Sequence, residues 1–290
     1  MRDLDALLDA PPARRDDQLV ARLATDALLA EVAAWPKPGL VSDRDSGSHA
    51  DMDAAMLRAS ARVLTPYFAE LAAAGRAGRG MPALRGIGLR AEAAMLRTTG
   101  GINTHRGAIF GLGLICAAAG LRAASPQLAP SRLGTLVHER WGQEIRAVAP
   151  TASHGADARR RFGAGGARLE AATGFGHVYQ VALPALRAAR AKGADERTAH
   201  VQACFALLAV LGDTNLLHRG GRDGLAFARQ AARRFLADGG VLRRGWQLQA
   251  MRTHAAFVAR GLSPGGSADL LALAIMVDRL EAAAREWHAA

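Results

Sequence analysis

Residues 31–53, EVAAWPKPGLVSDRDSGSHADMD, separate two stretches of sequence with helical periodicity. Apolar residues recur at helical spacing before this segment, from Leu19 to Leu28, and after it, from Met56 to Leu64. A connection between two helices needs only a few turn residues, whereas this one carries charged and helix-breaking residues over most of its length. We therefore predict a helical protein in which residues 31–53 form the active-site loop.

Charged side chains in this loop are of types that bind anions, metals and protons. Lys37 lies between Pro36 and Pro38, which restrict the backbone and so the direction of the ammonium. The rest of the loop offers oxygen ligands suited to Mg²⁺ and a histidine able to carry a proton. These residues are Asp43, Arg44, Asp45, His49, Asp51 and Asp53. An exposed loop that caps a helix is the alternative.

Glu31 continues the apolar face of the first predicted helix, which runs over residues 16–34. A carboxylate on an apolar face costs free energy unless it is paired, hydrogen-bonded or bound to metal. Glu31 is therefore either a buried salt-bridge partner or a residue of the site.

Length and composition limit the class of protein. The chain has 290 residues, half of them hydrophobic, which is enough for a substantial core in one or two domains. Cys116 and Cys204 lie in alanine-rich helical contexts and are expected to be small buried hydrophobic residues without a disulfide. The N-terminus lacks a signal-peptide pattern, and we expect no apolar run of membrane-spanning length. We predict a cytoplasmic protein that does not contact a membrane.

The net charge of +11 raises the question of a polyanionic partner. Arginines are spread through nearly every predicted helix, and aromatic residues, at 5%, are too few for a base-stacking surface, so we expect no nucleic-acid partner. Only two of the 37 basic residues are lysines, Lys37 and Lys192, and the only asparagines are Asn103 and Asn215. Three of these four residues lie in segments that also carry candidate site residues.

Residues 101–120, GINTHRGAIFGLGLICAAAG, predict a helix with a basic first turn. Asn103 or Thr104 can cap it, and His105 and Arg106 follow in the first turn. Free amides at a helix N-terminus together with positive charge favour a phosphate site. The alternative is tight helix packing through the glycines, with the basic pair facing water.

Later segments add candidate ligands. In residues 212–221, GDTNLLHRGG, Asp213 and Asn215 are either oxygen ligands or, respectively, a helix cap and a turn residue. Arg168 is expected to pair with Glu170 near a helix start.

In the segment GLSPGGSADLL, which begins at residue 261, either Ser263 or Ser267 starts the last helix. Gly265 and Gly266 leave backbone amides unobstructed there, and Asp269 falls in the first turn.

Six motifs in this order resemble the triphosphoribosyl-dephospho-CoA synthase family. They lie between Pro36 and Ala272 and read PKPGLV, DSGSHADMD, GINTHRGAIFGLG, GARLEAATGF, DTNLLHRGG and LSPGGSADLLA. The sequence GSH at residues 47–49 and Arg106 in NTHRG are more similar to the malonate decarboxylase branch than to the citrate lyase branch, where GAH and NTHKG are expected.

The resemblance implies an all-α protein in which residues 1–290 form a single-domain, multi-helix bundle with a central active-site cleft. It implies transfer of the triphosphoribosyl group of ATP, with Mg²⁺, to the 2′-hydroxyl of 3′-dephospho-CoA, releasing adenine. A further transferase would attach the product to an acyl-carrier protein. The sequence does not decide whether the protein forms a homodimer.

Substitution at the ribose anomeric carbon passes through an oxocarbenium-like transition state, which carboxylates can stabilise. We predict Glu31 or Asp51 as general base, with His49 as a further catalytic candidate. The predicted metal ligands are Asp53, Asp213 and Asp269. The predicted binding residues for substrate and phosphate are Lys37, Arg44, Asn103, Thr104, His105, Arg106, Arg168, Asn215, Arg219, Ser263, Gly265 and Gly266.

Three alternatives remain at this point: the same reaction serving citrate lyase, a ribosyl transferase or glycohydrolase with another acceptor, and a nucleic-acid-binding protein. The chain contains no G-x-x-x-x-G-K-[ST] loop, since Lys37 lies between prolines and Lys192 precedes Gly193. This favours a site that holds the triphosphate and reacts at the sugar.

Overall fold

The computed structural model describes residues 14–147, 161–162 and 165–289, with side chains as far as residue 282. Within these ranges the secondary structure is helical and contains no β-strand, so the all-α prediction is confirmed. The α-helices are α1 (Arg15–Ala33), α2 (Ala54–Val63), α3 (Thr65–Arg76), α4 (Met81–Thr98), α5 (Arg106–Ala124), α6 (Leu133–Ala147), α7 (Gly166–Ala172), α8 (Leu183–Ala191), α9 (Glu196–Val210), α10 (Thr214–Ala237), α11 (Trp246–Val258) and α12 (Gly265–Ala289). Short 3₁₀ turns precede α6 and α11, and a π-helical turn, Val178–Ala182, leads into α8.

The helices on either side of the loop at residues 31–53 lie close to where the sequence predicts, since α1 ends at Ala33 and α2 begins at Ala54. The chain breaks after Val63, and a new helix begins at Thr65. Pro66 lies in the first turn of that new helix, where its missing N–H and fixed φ cost little.

α5 is the central helix and packs against α3 with the two backbones in contact. A Cβ added to Gly75 would lie 1.9 Å from the carbonyl oxygen of Ala117, and one added to Gly120 would lie 1.9 Å from that of Ala72. Gly113, one of the glycines singled out from the sequence, instead faces the Leu71 side chain at 2.8 Å. Glycines therefore set the distance between these two helices.

α5 also corrects an expectation about apolar runs. Arg106–Ala124 is long and apolar enough to cross a membrane by length and composition, contrary to the prediction that no run reaches this length. Most of this helix is buried within the protein, as in the core helix of a soluble fold.

The main hydrophobic cluster contains residues from each of α1 to α12, which is what the single-domain prediction expects. Cys116 and Cys204 are fully buried in it as free thiols, as the sequence predicts. Burial raises the pKa of the Cys204 thiol to about 12, so it stays protonated.

α10 contains a break that the sequence did not predict. Asn215 was a possible turn residue, but helical structure begins at Thr214 and continues to Ala237. It is interrupted at Gly221, whose φ of 60° and ψ of −156° are accessible in practice only to glycine. Asn215 and Arg219 therefore lie on a short helical segment before the break.

We expect Gly75→Ala to lower the free energy of unfolding by about 1–3 kcal/mol, because the added methyl meets backbone that cannot rotate away. Gly88→Ala is the matched control: Gly88 lies inside α4 with nothing within 4 Å of an added Cβ. This change should raise stability by up to about 1 kcal/mol through helix propensity. Urea denaturation of both variants measures the difference, and equal effects would contradict the close approach of α3 and α5.

Candidate active site

One large cleft of about 1370 Å³ brings together most of the predicted site residues, which come from distant parts of the chain. Its walls come from the loop at residues 31–53, from α4 and α5, and from the first turns of α7, α10 and α12. All but three of the predicted site residues line it. The exceptions are Lys37, Arg44 and Asp53.

The loop and the segment before α12 are joined by side-chain hydrogen bonds. The Ser48 hydroxyl donates to the carbonyl of Leu262 at 2.6 Å, and His49 Nε2 lies 2.8 Å from the Ser263 hydroxyl. One terminal nitrogen of Arg219 donates to the carbonyls of Ser48 and Gly261, at 3.1 and 3.0 Å. Arg219 therefore joins two loops. The sequence predicted only phosphate binding for this residue.

His49 is held in its neutral form. Its pKa lies below the ordinary histidine value, first because of burial and then because of the nearby Arg219 guanidinium. Asp51 opposes this shift, with a carboxylate oxygen 3.4 Å from His49 Nδ1. A neutral imidazole at the cleft can accept a proton, as a catalytic role requires.

Asp213 joins the first turns of α10 and α12. One of its oxygens accepts from the amides of Asn215 and Leu216, at 2.9 and 3.3 Å. The other accepts from the amide and hydroxyl of Ser267, at 2.8 and 3.0 Å. The helix-cap alternative is therefore realised, although Asp213 also lines the cleft. Burial raises its pKa despite these hydrogen bonds.

Asp269 lies against the beginning of α5. A Cβ on Gly107 would lie 2.1 Å from its carboxylate, and the amide of Ala108 donates to it. Burial raises the pKa of Asp269 well above its usual value, and the neighbouring charges of Asp213 and Glu31 raise it further. Three carboxylates thus lie close together at the cleft, which we call the acidic cluster: Glu31, Asp213 and Asp269.

The protein's own groups occupy part of the start of α5, and phosphate binding there stays a prediction. The Asn103 side chain accepts from the amide of Arg106 at 3.1 Å, although the residue at the N-cap is His105. The amide of Ala108 is bonded to Asp269, and the Arg106 guanidinium pairs with Glu92. The prediction of free amides here is wrong, because the protein supplies its own carboxylate and amide oxygens at this helix end.

His105 is not a cation at neutral pH. It is 5% exposed, its Nδ1 lies 2.8 Å from the Ser60 hydroxyl, and that hydroxyl also meets Thr104 at 2.7 Å. Burial lowers the pKa of His105 to about 4. The expected contribution of His105 to a positively charged helix start is therefore wrong, while its position at the cleft is as predicted.

The three predicted residues away from the cleft wall have other contacts. Lys37 is fully buried and pairs with Glu31. Arg44 is exposed and lies over the Trp35 ring, 5.6 Å from its centroid. Asp53 is exposed and caps α2 by accepting from the amide of Met56 at 2.8 Å. Lys37 and Asp53 thus contact the protein's own groups, and their predicted roles in binding phosphate and metal stay predictions.

Two glycines at the beginning of α12 are required by close packing. A Cβ on Gly265 would lie 2.6 Å from the Asn215 amide nitrogen, and one on Gly266 would lie 3.2 Å from the Asp213 carboxylate. These glycines were predicted to leave backbone amides unobstructed for substrate, and that role stays a prediction.

Sequence reasoning missed part of the cleft wall. The Glu170 carboxylate, which was predicted to pair with Arg168, lies 2.5 Å from His177 Nδ1, and Arg168 donates to the carbonyl of Ile145 at 2.6 Å. The hydrogen bond to Glu170 raises the pKa of His177, while burial acts in the opposite direction.

His218 also lines the cleft. Its spacing of three residues from Asn215 would have indicated this had the segment been recognised as helical.

Among the described residues, no group of three or more histidine, cysteine, aspartate or glutamate side chains is arranged to hold a metal ion. The predicted set of Asp53, Asp213 and Asp269 is not assembled, because Asp53 caps α2 outside the cleft. Asp213 and Asp269 remain as neighbouring oxygen donors.

Known proteins are similar to this chain over nearly its whole length. The family model described as ATP:dephospho-CoA triphosphoribosyl transferase (CitG) matches residues 17–288. A relative in Pseudomonas aeruginosa (strain UCBPP-PA14), named probable 2-(5''-triphosphoribosyl)-3'-dephosphocoenzyme-A synthase, is 43% identical, and the match covers 93% of each chain. A relative in Pectobacterium atrosepticum, with the same name without "probable", is 43% identical over 89% of this chain and 86% of its own. No solved structure matches significantly.

The carboxylates, arginines and neutral histidine around one large cleft are of the types found in enzymes that act on polar substrates. The chain belongs to the ATP:dephospho-CoA triphosphoribosyl transferase family and is a transferase of this class.

The lowered pKa of His105 predicts a pH dependence of stability. Between pH 6.5 and about 4 the unfolded chain takes up a proton at this residue and the folded protein does not. Its contribution to stability is thus complete above pH 6.5 and is lost as the pH falls towards 4, at about 1.4 kcal/mol per pH unit. We expect His105→Asn, which keeps an amide near the Ser60 hydroxyl, to show a shallower loss of stability over this range.

Urea denaturation at several pH values measures the effect. Ser60→Ala is the control, since it removes the hydrogen bond to His105 and no titrating group, and should lower stability equally at each pH. The same slope in His105→Asn and wild type would show that His105 titrates normally in the folded protein.

Proposed function

We propose that this chain transfers the 5-triphosphoribosyl group of ATP to the 2′-hydroxyl of 3′-dephospho-CoA and releases adenine. The observation that supports this reaction best is the acidic cluster in a cleft of about 1370 Å³. That volume exceeds the roughly 300–1,000 Å³ typical of a site for one small ligand, as two nucleotide substrates require.

The acidic cluster suits substitution at the ribose carbon that bears adenine. Positive charge develops on the sugar ring as the bond to the base breaks, and fixed carboxylates near that ring lower the energy of the transition state. We assign the general base to Glu31, because it lies in the cluster, whereas Asp51 is largely exposed beside His49. Glu31 would take the proton from the attacking 2′-hydroxyl as the new glycosidic bond forms.

Arginines at the cleft are suited to the phosphates. Arg106 and Arg168 line it on the side of α5 and α7, and Arg219 lines it on the side of α10. Each also contacts the protein, through Glu92, the carbonyl of Ile145 and two loop carbonyls respectively. Such contacts fix the direction of each guanidinium, which favours binding of a triphosphate in one orientation.

Mg²⁺ fits this site as a partner of the nucleotide. Magnesium in nucleotide enzymes is bound by substrate phosphates, water and one or two carboxylates, and not by a dedicated cage. Asp213 and Asp269 supply two such carboxylates, and the raised pKa of each indicates a position where a cation would relieve unfavourable negative charge. The ion would neutralise phosphate charge, while these two residues orient it.

We further propose that the product serves malonate decarboxylase, through a second transferase that attaches it to the acyl-carrier protein. The motif GSH at residues 47–49 and Arg106 in NTHRG support this branch over citrate lyase. We also propose that the enzyme is cytoplasmic, because its two cysteines are free thiols, as is usual in a reducing compartment. Transfer of the purified product to each of the two carrier proteins, followed by intact-mass measurement, distinguishes the branches.

The reaction itself makes a prediction about which bond of ATP breaks. Incubation with Mg²⁺, dephospho-CoA and ATP labelled in the γ-phosphate should give adenine and a labelled adduct in equal amounts, because the site binds the triphosphate and reacts at the sugar. Mass spectrometry should find all three phosphates in the adduct. ADP, AMP or free pyrophosphate as the stoichiometric product would reject the mechanism, and adenine release without dephospho-CoA would indicate a glycohydrolase.

A further inference from the structure

Lys37 lies behind the wall of the cleft. Its side chain is fully buried, and its flanking prolines leave the backbone little freedom. The carbonyl of Lys37 lies 2.8 Å from His254 Nδ1, and the other ring nitrogen of His254 lies 3.1 Å from Asp45. Lys37 is therefore held from both its backbone and its side chain.

The ammonium of Lys37 makes both of its described hydrogen bonds to one residue. It donates to the carboxylate of Glu31 and to the backbone carbonyl of Glu31. That carbonyl lies in the last turn of α1, where positive charge is favourable, and it also accepts from the amide of Ala34 at 3.2 Å. The same ammonium thus caps α1 and fixes the side chain that leaves it.

Glu31 lies between this ammonium and the cleft. Its side chain is 10% exposed and lines the cleft, while its charge acts on Asp269. Without the ammonium, the carboxylate would face the negative charges of the acidic cluster alone. It would then turn away from the cluster, because a buried carboxylate needs a partner.

A buried ion pair is weak evidence for stability, because removing two charges from water costs about as much as their attraction returns. Fixing one carboxylate at a reacting centre is a role that such a pair can serve. We infer that Lys37 is a positioning residue, which holds the Glu31 carboxylate directed at the cleft, and that it does not bind the triphosphate. This inference rests on the proposed function through the role of Glu31.

The test compares Lys37→Met, Glu31→Gln and the double variant, with Lys192→Met as control. Lys192 is the chain's other lysine, exposed at the end of α8, and its removal should change neither turnover nor ATP binding. The turnover number for adenine release should fall by about 100-fold in Lys37→Met and in Glu31→Gln. The double variant should fall no further than Glu31→Gln, because Lys37 acts through Glu31. Wild-type turnover in Lys37→Met, or a further loss of about tenfold in the double variant, would overturn the inference.

ATP binding supplies a readout that does not depend on turnover. Lys37→Met alone leaves a buried carboxylate without its cation and risks unfolding, whereas the double variant replaces both charges with neutral groups of similar size. Equilibrium dialysis with labelled ATP should give the double variant and Glu31→Gln the same affinity within about twofold. A loss of about tenfold or more in the double variant would show that Lys37 binds the phosphates. Failure of the wild type to release adenine would reject the transfer reaction, and the dialysis would still decide between the two roles of Lys37.

Discussion

The carboxylate of Asp213 connects the parts of the chain that form the site. Residues far apart in sequence, at the starts of α10 and α12, share its two oxygens through four hydrogen bonds. Burial alone would make this carboxylate costly, and the amides of two helix starts compensate only partly, since its pKa is still raised. The position of the cleft's wall therefore depends on an anion that the protein does not fully neutralise.

That incomplete neutralisation extends to the neighbouring groups. Asp269 meets the charges of Asp213 and Glu31, and of the three only Glu31 has a buried cation described beside it, Lys37. A protein with a net charge of +11 has many arginines, but those with described ion pairs near the surface, such as Arg58 and Arg90, face other carboxylates. Negative charge is concentrated at one place in a basic protein, which suits a site where positive charge forms or a cation binds.

The sequence predicts the helices, and most of the site residues chosen from it lie at the cleft, because both depend on local signals. Helical periodicity located α1, and the hydrogen bond that Asn103 accepts at the start of α5 was visible from residue type. The direction in which Lys37 points could not be predicted, since an ammonium between prolines suits a ligand and a buried partner equally. Occupation of the start of α5 by Asp269 depends on a contact between residues more than 150 positions apart, which no local pattern contains. The missed helical start of α10 has a simpler cause: Asn and Gly favour turns, and packing overrode that preference.

The break in α10 has a mechanical consequence. Gly75 and Gly120 place α3 and α5 in backbone contact, so these two helices cannot slide past each other. The turn that carries Asn215 and Arg219 is different, because the non-helical Gly221 separates it from the rest of α10, where Ala228 and Phe235 are packed in the core. That turn takes its direction from the hydrogen bonds of Asp213 and Arg219 to other segments, and not from the helix that follows it. One wall of the cleft is thus set by side-chain hydrogen bonds and another by backbone packing.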